Sequence, residues 1–251
     1  MTQIPSLTPK GERMREHLLD TALDLFTGNG YHETTMRDIA AAAGCSPGLT
    51  YRYFARKEDL VVALYQRLAH EFEERVMALP PMSLAERFEQ VMQLRLRQVT
   101  PYRGIYQAIL GSALSPQNDL GILGDNTLEL RARAQAMFTL VVEGASDAPS
   151  QQQVEELAQV LYAVHLCFVL FWLYDRSPQQ HATDEMLSLA CDALRLGRRL
   201  LRLRPVSRAL TRLTRAITPV FGVEAISQPA APRAHREPPP AEWDDEPGEL
   251  E

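Results

Sequence analysis

Residues 34–54 read TTMRDIAAAAGCSPGLTYRYF, and their side chains suit contact with a polyanion rather than bond-making chemistry. Thr50, Tyr51, Arg52 and Tyr53, with Lys57 just beyond, offer the hydroxyl and cationic groups that hold phosphate oxygens. Ser46 precedes Pro47-Gly48, the pattern of a side-chain cap followed by a proline whose missing N–H costs a first helical turn nothing. The N–H groups left open at such a start attract anions, and a helix so slender at its N-terminus can approach the floor of the DNA major groove. Competing chemistries find no support: there are no paired carboxylates, nucleophile elbow or P-loop. His165 beside Cys167 lacks a second ligand pair at metal spacing, so neither a metal nor a cofactor is expected. Cys45, Cys167 and Cys191 form no CxxC pair and read as small hydrophobes in a reducing, cytoplasmic compartment.

The elements that must position these groups are helical. Thr8-Pro9 reads as the start of a first helix, whose apolar face is Leu18, Leu19, Ala22, Leu23 and Phe26 and which Gly28-Asn29-Gly30 stops. Thr35 with Asp38 opens a second helix and Gly44 supplies the turn out of it. Ser46-Pro47 opens a third, running to about Phe54, and a fourth follows from near Lys57 to about Ala78. Ser83 with Glu86, Thr100-Pro101, Ser115-Pro116, Ser150 with Gln153 and Ser177-Pro178 read as later starts. Residues 126–143 are helical by composition, and residues 206–221 form a last amphipathic helix with an apolar face of Val206, Leu210, Leu213, Ile217 and Val220. The run Leu157 to Tyr174 has the length of a membrane span. Gln159 and His165 interrupt it, and a helix that is apolar all round is also what a doubly packed core helix looks like.

Residues 14–60 resemble the DNA-binding domain of the TetR/AcrR family of transcription regulators. The shared landmarks are Leu19-Asp20-Thr21-Ala22-Leu23, Leu25-Phe26, Gly30-Tyr31, Thr34-Thr35 and Arg37-Asp38-Ile39-Ala40. They continue through Ala43-Gly44, Ser46-Pro47-Gly48, Tyr51-Arg52-Tyr53-Phe54 and Lys57-Glu58-Asp59-Leu60. The resemblance implies phosphate contacts from Thr35 and Arg37. It places Cys45, Ser46, Pro47, Gly48 and Leu49 at the groove-facing end of a recognition helix. Tyr51, Arg52, Tyr53 and Lys57 become phosphate anchors, with one of the two tyrosines open to a packing role instead. Two positions depart from the family pattern. Arg56 stands where a small polar cap is common, removing a cap of about 1 kcal/mol. The order Leu49-Thr50 reverses the commoner hydroxyl-then-apolar order, so either Leu49 faces the groove or the helix is slightly rotated.

The expected architecture is therefore all-α. A three-helix helix-turn-helix DNA-binding domain spans 12–72 (motif 35–54), a helical ligand-binding and dimerisation domain spans 73–222, and an acidic, proline-rich tail lacking apolar periodicity spans 223–251. The tail holds eight acids against two arginines, which accounts for the whole net charge of −6. In the second domain, Phe88, Met92, Tyr102, Arg103, Tyr106, Phe138, His165 and Trp172 are candidate effector-pocket residues, each also readable as core or surface. The helix at 151–175 and the next, with its stripe Leu187, Ala190, Leu194, Gly197 and Leu201, are the candidate homodimer interface. Eight arginines between Arg195 and Arg215, with no acid from Ala193 to Val223, read as a solvated face or as a surface for the tail, an anionic membrane or an acidic partner. Together these imply a cytoplasmic repressor that binds double-stranded operator DNA and leaves it when a small, lipophilic effector binds. A ligand-responsive activator is the near alternative. A helical binding bundle or enzyme with a purely structural N-terminal motif is the distant one.

Overall fold

The computed structural model describes residues 8–113 and 128–221. The start expected at Ser115-Pro116 and the acidic tail lie outside them. Ten α-helices make up the described chain: α1 (Pro9–Asn29), α2 (Met36–Ala42), α3 (Pro47–Tyr53), α4 (Lys57–Met77), α5 (Leu84–Val99), α6 (Arg103–Ala113), α7 (Leu128–Glu143), α8 (Gln151–Tyr174), α9 (His181–Leu200) and α10 (Arg204–Phe221).

Local chemistry sets most of the boundaries. Thr8 Oγ1 accepts from Gly11 N at 3.2 Å with Pro9 as the first helical residue, and α1 ends on Gly30 at φ 97°. Ser83 and Glu86 form a reciprocal capping box on α5, and Asp147 Oδ1 accepts from Leu84 N at 2.8 Å. Two starts differ from the sequence expectation, and a third, Ser150, stands at the N-cap of α8 as expected but with a different side-chain bond. Thr100-Pro101 does not open a helix: the Thr100 hydroxyl donates back to Leu96 O at 2.7 Å, and a 3-10 turn carries α5 almost directly into α6. The Ser150 hydroxyl donates to Gln153 Oε1 at 3.1 Å instead of accepting from the α8 backbone. Ser177-Pro178 leads only to a 3-10 turn in which Gln179 and Gln180 take φ of 54° and 61°, a region non-glycine residues seldom enter. The Asp175 carboxylate holds that turn. One oxygen accepts from the Ser177 N–H and hydroxyl, the other from the Thr183 N–H and hydroxyl, at 2.7–2.9 Å. Those bonds keep the carboxyl far below its ordinary range.

Two hydrophobic cores result, and α4 runs through both. Leu60, Val61, Leu64 and Leu68 join α1 and α2 residues in the first core, while Phe72 and Val76 join α5, α7 and α8 in the second. The first core also takes Val99, Ile105 and Ile109 from α5 and α6, and Trp172 and Leu173 from the end of α8. Arg67 ties α4 to α1 through Asp20 at 2.6 Å and Glu16 at 2.5 Å, and Arg133 on α7 meets Glu73 on α4 at 2.7 Å. The α8 helix is long and apolar enough to cross a membrane, yet 56% of its most apolar window is buried inside the chain, where α5, α6, α7, α9 and α10 pack around it.

The two amphipathic faces at the C-terminal end are arranged differently from the sequence reading. On α9, Leu187 and Leu201 are buried and Ala190 and Leu194 half-buried against the second core, so that stripe faces inward. The outward stripe is Met186, Leu189, Leu196 and Leu200. On α10, Val206, Leu210 and Ile217 point in, but Leu213 and Val220 are exposed. Threonines complete the inner face: Thr211 donates to Glu156 Oε1 at 2.8 Å, and Gln159 on α8 donates to Thr218 Oγ1 at 2.8 Å. Within the arginine run, Arg195 pairs with Asp192 and Glu89, and Arg198 donates to Asp147 O and Ala148 O. Arg199, Arg202, Arg204, Arg208, Arg212 and Arg215 are exposed.

Arg103 fastens the start of α6 to the end of α8. Its Nη2 donates to Trp172 O, Leu173 O and Asp175 O at 2.9, 3.1 and 2.7 Å, and its guanidinium lies 5.1 Å from the Trp172 ring centroid. It thereby satisfies carbonyls that a helix end leaves open. Arg103→Met keeps much of the bulk but removes these charge-assisted bonds, so unfolding stability should fall by about 2–3 kcal/mol. Urea denaturation measures this, and a loss under about 0.5 kcal/mol would show that water replaces the guanidinium at no cost.

Candidate nucleic-acid interface

The α2–α3 pair is built so that one side is core and the other is open. Thr35 Oγ1 accepts from Asp38 N at 3.2 Å while Asp38 Oδ2 accepts from Thr35 N at 2.8 Å and from the Thr35 hydroxyl at 2.7 Å. These bonds hold the Asp38 carboxyl below its usual range. Gly44, at φ 66°, turns the chain, with Cys45 N donating to Ala40 O at 3.0 Å. Glycine takes that conformation without a Cβ penalty. Ser46 Oγ then accepts from Leu49 N at 3.3 Å and starts α3. Met36, Ile39, Ala40, Thr50 and Phe54 are buried beneath.

The candidate DNA contacts divide on this frame. Thr35, Arg37, Ser46, Pro47, Gly48, Tyr51 and Arg52 are exposed, while Cys45, Leu49, Tyr53 and Lys57 are half-buried. Thr50 is 0% exposed: its Oγ1 donates toward Ser46 O at 3.4 Å and lies 3.3 Å from Cys45 Sγ. Its hydroxyl is therefore spent inside the protein and cannot serve a phosphate. Thr50 fills the inward position of α3, and Leu49 is left half-exposed. Tyr51 is 48% exposed and Tyr53 packs against the first core, so of the two tyrosines Tyr53 is the packing residue. The Lys57 ammonium donates to Tyr31 O at 2.8 Å and His32 O at 3.4 Å and sits 4.6 Å from the Tyr31 ring centroid. It pins the α1–α2 turn. Arg56, as expected, gives α4 no side-chain acceptor, but Asp59 Oδ2 accepts the Arg56 N–H at 2.9 Å and supplies the other half of the cap.

The effector-pocket candidates fall into two groups. Tyr102, Tyr106 and Trp172 belong to the first core, where Arg103 is engaged at the α8 terminus and the Trp172 Nε1–H donates to Gln180 Oε1 at 2.9 Å. Phe88, Met92, Phe138 and His165 line the second, the first three fully buried. His165 lies 5.2 Å from the Phe138 ring and 6.4 Å from the Tyr162 ring, with no partner for either nitrogen. Arg95 and Tyr65, which the motif reading passed over, lie in the same neighbourhood. Arg95 falls in the apolar stripe Phe88, Val91, Met92, Val99 of α5, a legible signal, since a charge in an apolar stripe demands an explanation. Among the described residues no group of three or more metal-ligating side chains is gathered.

Burial, and secondarily the charge of Arg95, lowers His165 from 6.5 to about 3. The unfolded chain therefore takes up a proton as pH falls through 6.5 while the folded one does not. His165 leaves stability unaffected above pH 6.5 and erodes it between there and pH 3. Going from pH 7.5 to pH 5, the native chain should lose roughly 2 kcal/mol more stability than His165→Gln. Parallel urea-denaturation stabilities for the two proteins across that range would place the imidazole in contact with water.

Comparison with known proteins follows the same division. Residues 18–64 match the family model of bacterial regulatory proteins of the tetR family, and residues 87–212, half of the chain, match the tetracyclin repressor-like C-terminal domain. The fatty acid metabolism regulator protein of Bacillus subtilis is 36% identical over 59 residues, 24% of this chain and 30% of that protein, so the chain matches under a third of that relative. The transcriptional repressor KstR of Rhodococcus jostii is 28% identical over 170 residues, 68% of this chain and 76% of that protein. A solved tetR-family regulator from Streptomyces coelicolor superimposes with a TM-score of 0.58 at 23% identity, covering 82% of this chain and 89% of that one. An N-terminal helix-turn-helix and a C-terminal helical bundle thus match, in chain order, the two halves of one architecture, and the chain belongs to the TetR family of DNA-binding transcription regulators.

Proposed function

We propose that this protein is a cytoplasmic, homodimeric repressor that occupies a two-fold operator and releases it when a small effector enters the helical regulatory domain. The carrying observation is the polarity of the α2–α3 pair. Arg37, Ser46, Tyr51 and Arg52 are exposed together on elements whose other face is sealed by Ile39, Ala40, Thr50 and Phe54. A surface of that composition on a short capped helix suits phosphate anchoring on either side of a groove-facing N-terminus. The domain reading is a DNA-binding unit over 12–72 and a regulatory unit over 73–222. In it Thr35, Arg37, Cys45, Ser46, Pro47, Gly48, Leu49, Tyr51, Arg52, Tyr53 and Lys57 form the operator face, with Tyr53 and Lys57 acting chiefly by holding α3 and the α1–α2 turn in place.

Dimerisation is supported by apolar surface on α8 and α9. Leu189 and Leu196 are 64% and 62% exposed, and Met186 and Leu200 continue their stripe. Cys167, Leu170, Phe171 and Tyr174 line a shallow concavity at the C-terminal end of α8. Apolar side chains repeated at helical spacing on a surface helix are what a helix–helix interface buries. Repression is supported by the name of the Rhodococcus jostii relative, which is matched over 68% of this chain. The effector reading rests on the second core, where polar side chains from several helices meet without partners.

The test is binding to DNA flanking the protein's own gene, read by fluorescence anisotropy as a function of salt. An inverted repeat should be protected, with the two recognition helices about one helical turn, ~34 Å, apart or a multiple of it. Arg52→Ala should weaken binding about fivefold and reduce the salt slope by about 1, and Tyr51→Phe should weaken it to a smaller extent. Leu189→Asp with Leu196→Asp should give a folded monomer in sedimentation and abolish tight operator binding. A monomeric native protein, or one with no preference for any genomic fragment, would sink the reading.

A further inference from the structure

Three helices carry buried polar atoms without hydrogen-bond partners, at Tyr65, Arg95 and His165, and a fourth sets Tyr106 against Tyr65. Arg95 comes from α5, Tyr65 from α4, Tyr106 from α6 and His165 from α8. The Arg95 guanidinium lies over the Phe72 ring, 3.9 Å from its centroid. Its Nη1 donates to Gln98 Oε1 at 3.1 Å and its buried Nε has no partner. Among the described residues no carboxylate stands within ion-pair distance of it. The nearest connected acid, Glu71, accepts from Gln98 instead. His165 is 93% buried and both of its nitrogens are unpartnered. The Tyr65 hydroxyl is buried and unpartnered as well, and its ring is 5.5 Å from that of Tyr106. Arg95 and His165 each pack on an aromatic ring of the second core, Phe72 and Phe138, and Tyr65 stands two helical turns before Phe72 on α4. Phe72, Met92 and Phe138 supply apolar walls.

A charged guanidinium beside unmet buried polar groups is a standing cost until water or a ligand completes the set. We propose that this cluster is the seat of the effector, and that the effector is an amphipathic monoanion: a carboxylate held by Arg95 and hydrogen-bonded by the Tyr65 hydroxyl and the His165 imidazole, attached to an apolar body lying against Phe72, Met92 and Phe138. The proposal rests on the effector reading above and gives it a chemical class. A monoanion fits because one guanidinium supplies the only positive charge in the set. Neutral imidazole and phenol provide direction without further charge, and the remaining walls carry none.

The probe is a series of straight-chain carboxylates from hexanoate to hexadecanoate, each paired with its neutral amide. Binding to the full chain is measured by calorimetry without DNA, and operator affinity is measured in parallel. At least one carboxylate should bind the native protein, and its amide should bind at least tenfold more weakly. Arg95→Met should weaken the carboxylate about 30-fold and leave the amide unchanged, while Arg95→Lys, which keeps the charge, should restore part of the loss. His165→Phe should cost less than Arg95→Met. Failure of every carboxylate to bind, equal binding of acid and amide, or indifference to Arg95→Met would each overturn the proposal and leave Arg95 as a structural cation served by water or a small inorganic ion. Carboxylate binding that depends on Arg95 but leaves operator affinity unchanged would keep the site and refute the effector reading. Operator release by a neutral lipophile alone would do the reverse.

Discussion

The packing of α4 into two cores at once is the constraint on which the rest of the molecule depends. Its first half supplies Leu60, Val61, Leu64 and Leu68 to the core under the DNA-reading helices, and its second half supplies Phe72 and Val76 to the regulatory core. Cores packed to crystal density do not deform smoothly, so a shift of α4 in one must be accommodated in the other. The first core is also closed from the far side by Ile105 and Ile109 of α6 and by Trp172 and Leu173 of α8. His32, in the turn between α1 and α2, lies 3.2 Å from Ala108 O of α6. The DNA-binding helices therefore rest on the ends of regulatory helices, and a change in the regulatory interior reaches them through packing contacts, without any long-range wire.

Arginine does much of the fastening, and at Arg87, Arg103 and Arg198 it does so through backbone carbonyls. Arg87 donates toward Leu79 O and Pro80 O, and a Cβ placed on Gly144 would meet its guanidinium at 2.6 Å, so that glycine makes room for the arginine. Arg103 holds the end of α8, and Arg198 holds Asp147 O and Ala148 O. Guanidinium suits this task because its planar set of donors can satisfy several divergent carbonyls at once and stays charged when half-buried. Arg95 breaks the pattern. Its contacts are a single side-chain oxygen and an aromatic face, and this sets it apart from the structural arginines.

What was legible in the sequence follows the range of the forces involved. Capping boxes at Thr35-Asp38 and Ser83-Glu86, the turn at Gly44 and the start at Ser46 are decided within a few residues, and the structure keeps each of them. Thr100-Pro101 looked like another local start. The Thr100 hydroxyl had an equally local alternative in Leu96 O, and the residues on both sides were already committed to helix by packing. The orientation of α9 was beyond local reading because both of its faces carry leucine at helical spacing, and only the position of α5 decides which face is inside. Threonine on the inner face of α10 was equally opaque, since its partners, Glu156 and Gln159, lie more than fifty residues away in sequence. At the operator face the residue types were readable, but the division between contact and support was not. Thr50 and Lys57 have the chemistry of phosphate ligands, and the fold turns both toward its own backbone.

The distribution of unmet polar groups separates the two halves of the molecule physically. Among the described residues, every buried side-chain polar atom without a partner lies at Tyr65 or beyond, and none lies in α1, α2 or α3. Helices α1, α2 and α3 are thus satisfied, with each of their buried hydroxyls accounted for, which favours a single well-defined geometry of the reading helix. The regulatory half tolerates orphaned groups in its interior and is correspondingly less committed to one arrangement. A regulator needs this inequality. Specificity for a base sequence requires the reading helix to be held rigidly, whereas response to a second ligand requires a part of the protein whose equilibrium a few kcal/mol can shift. Two of the unmet groups, Tyr65 on α4 and Arg95 stacked on Phe72 of α4, touch the helix common to both cores, where a rearrangement is felt at the operator face.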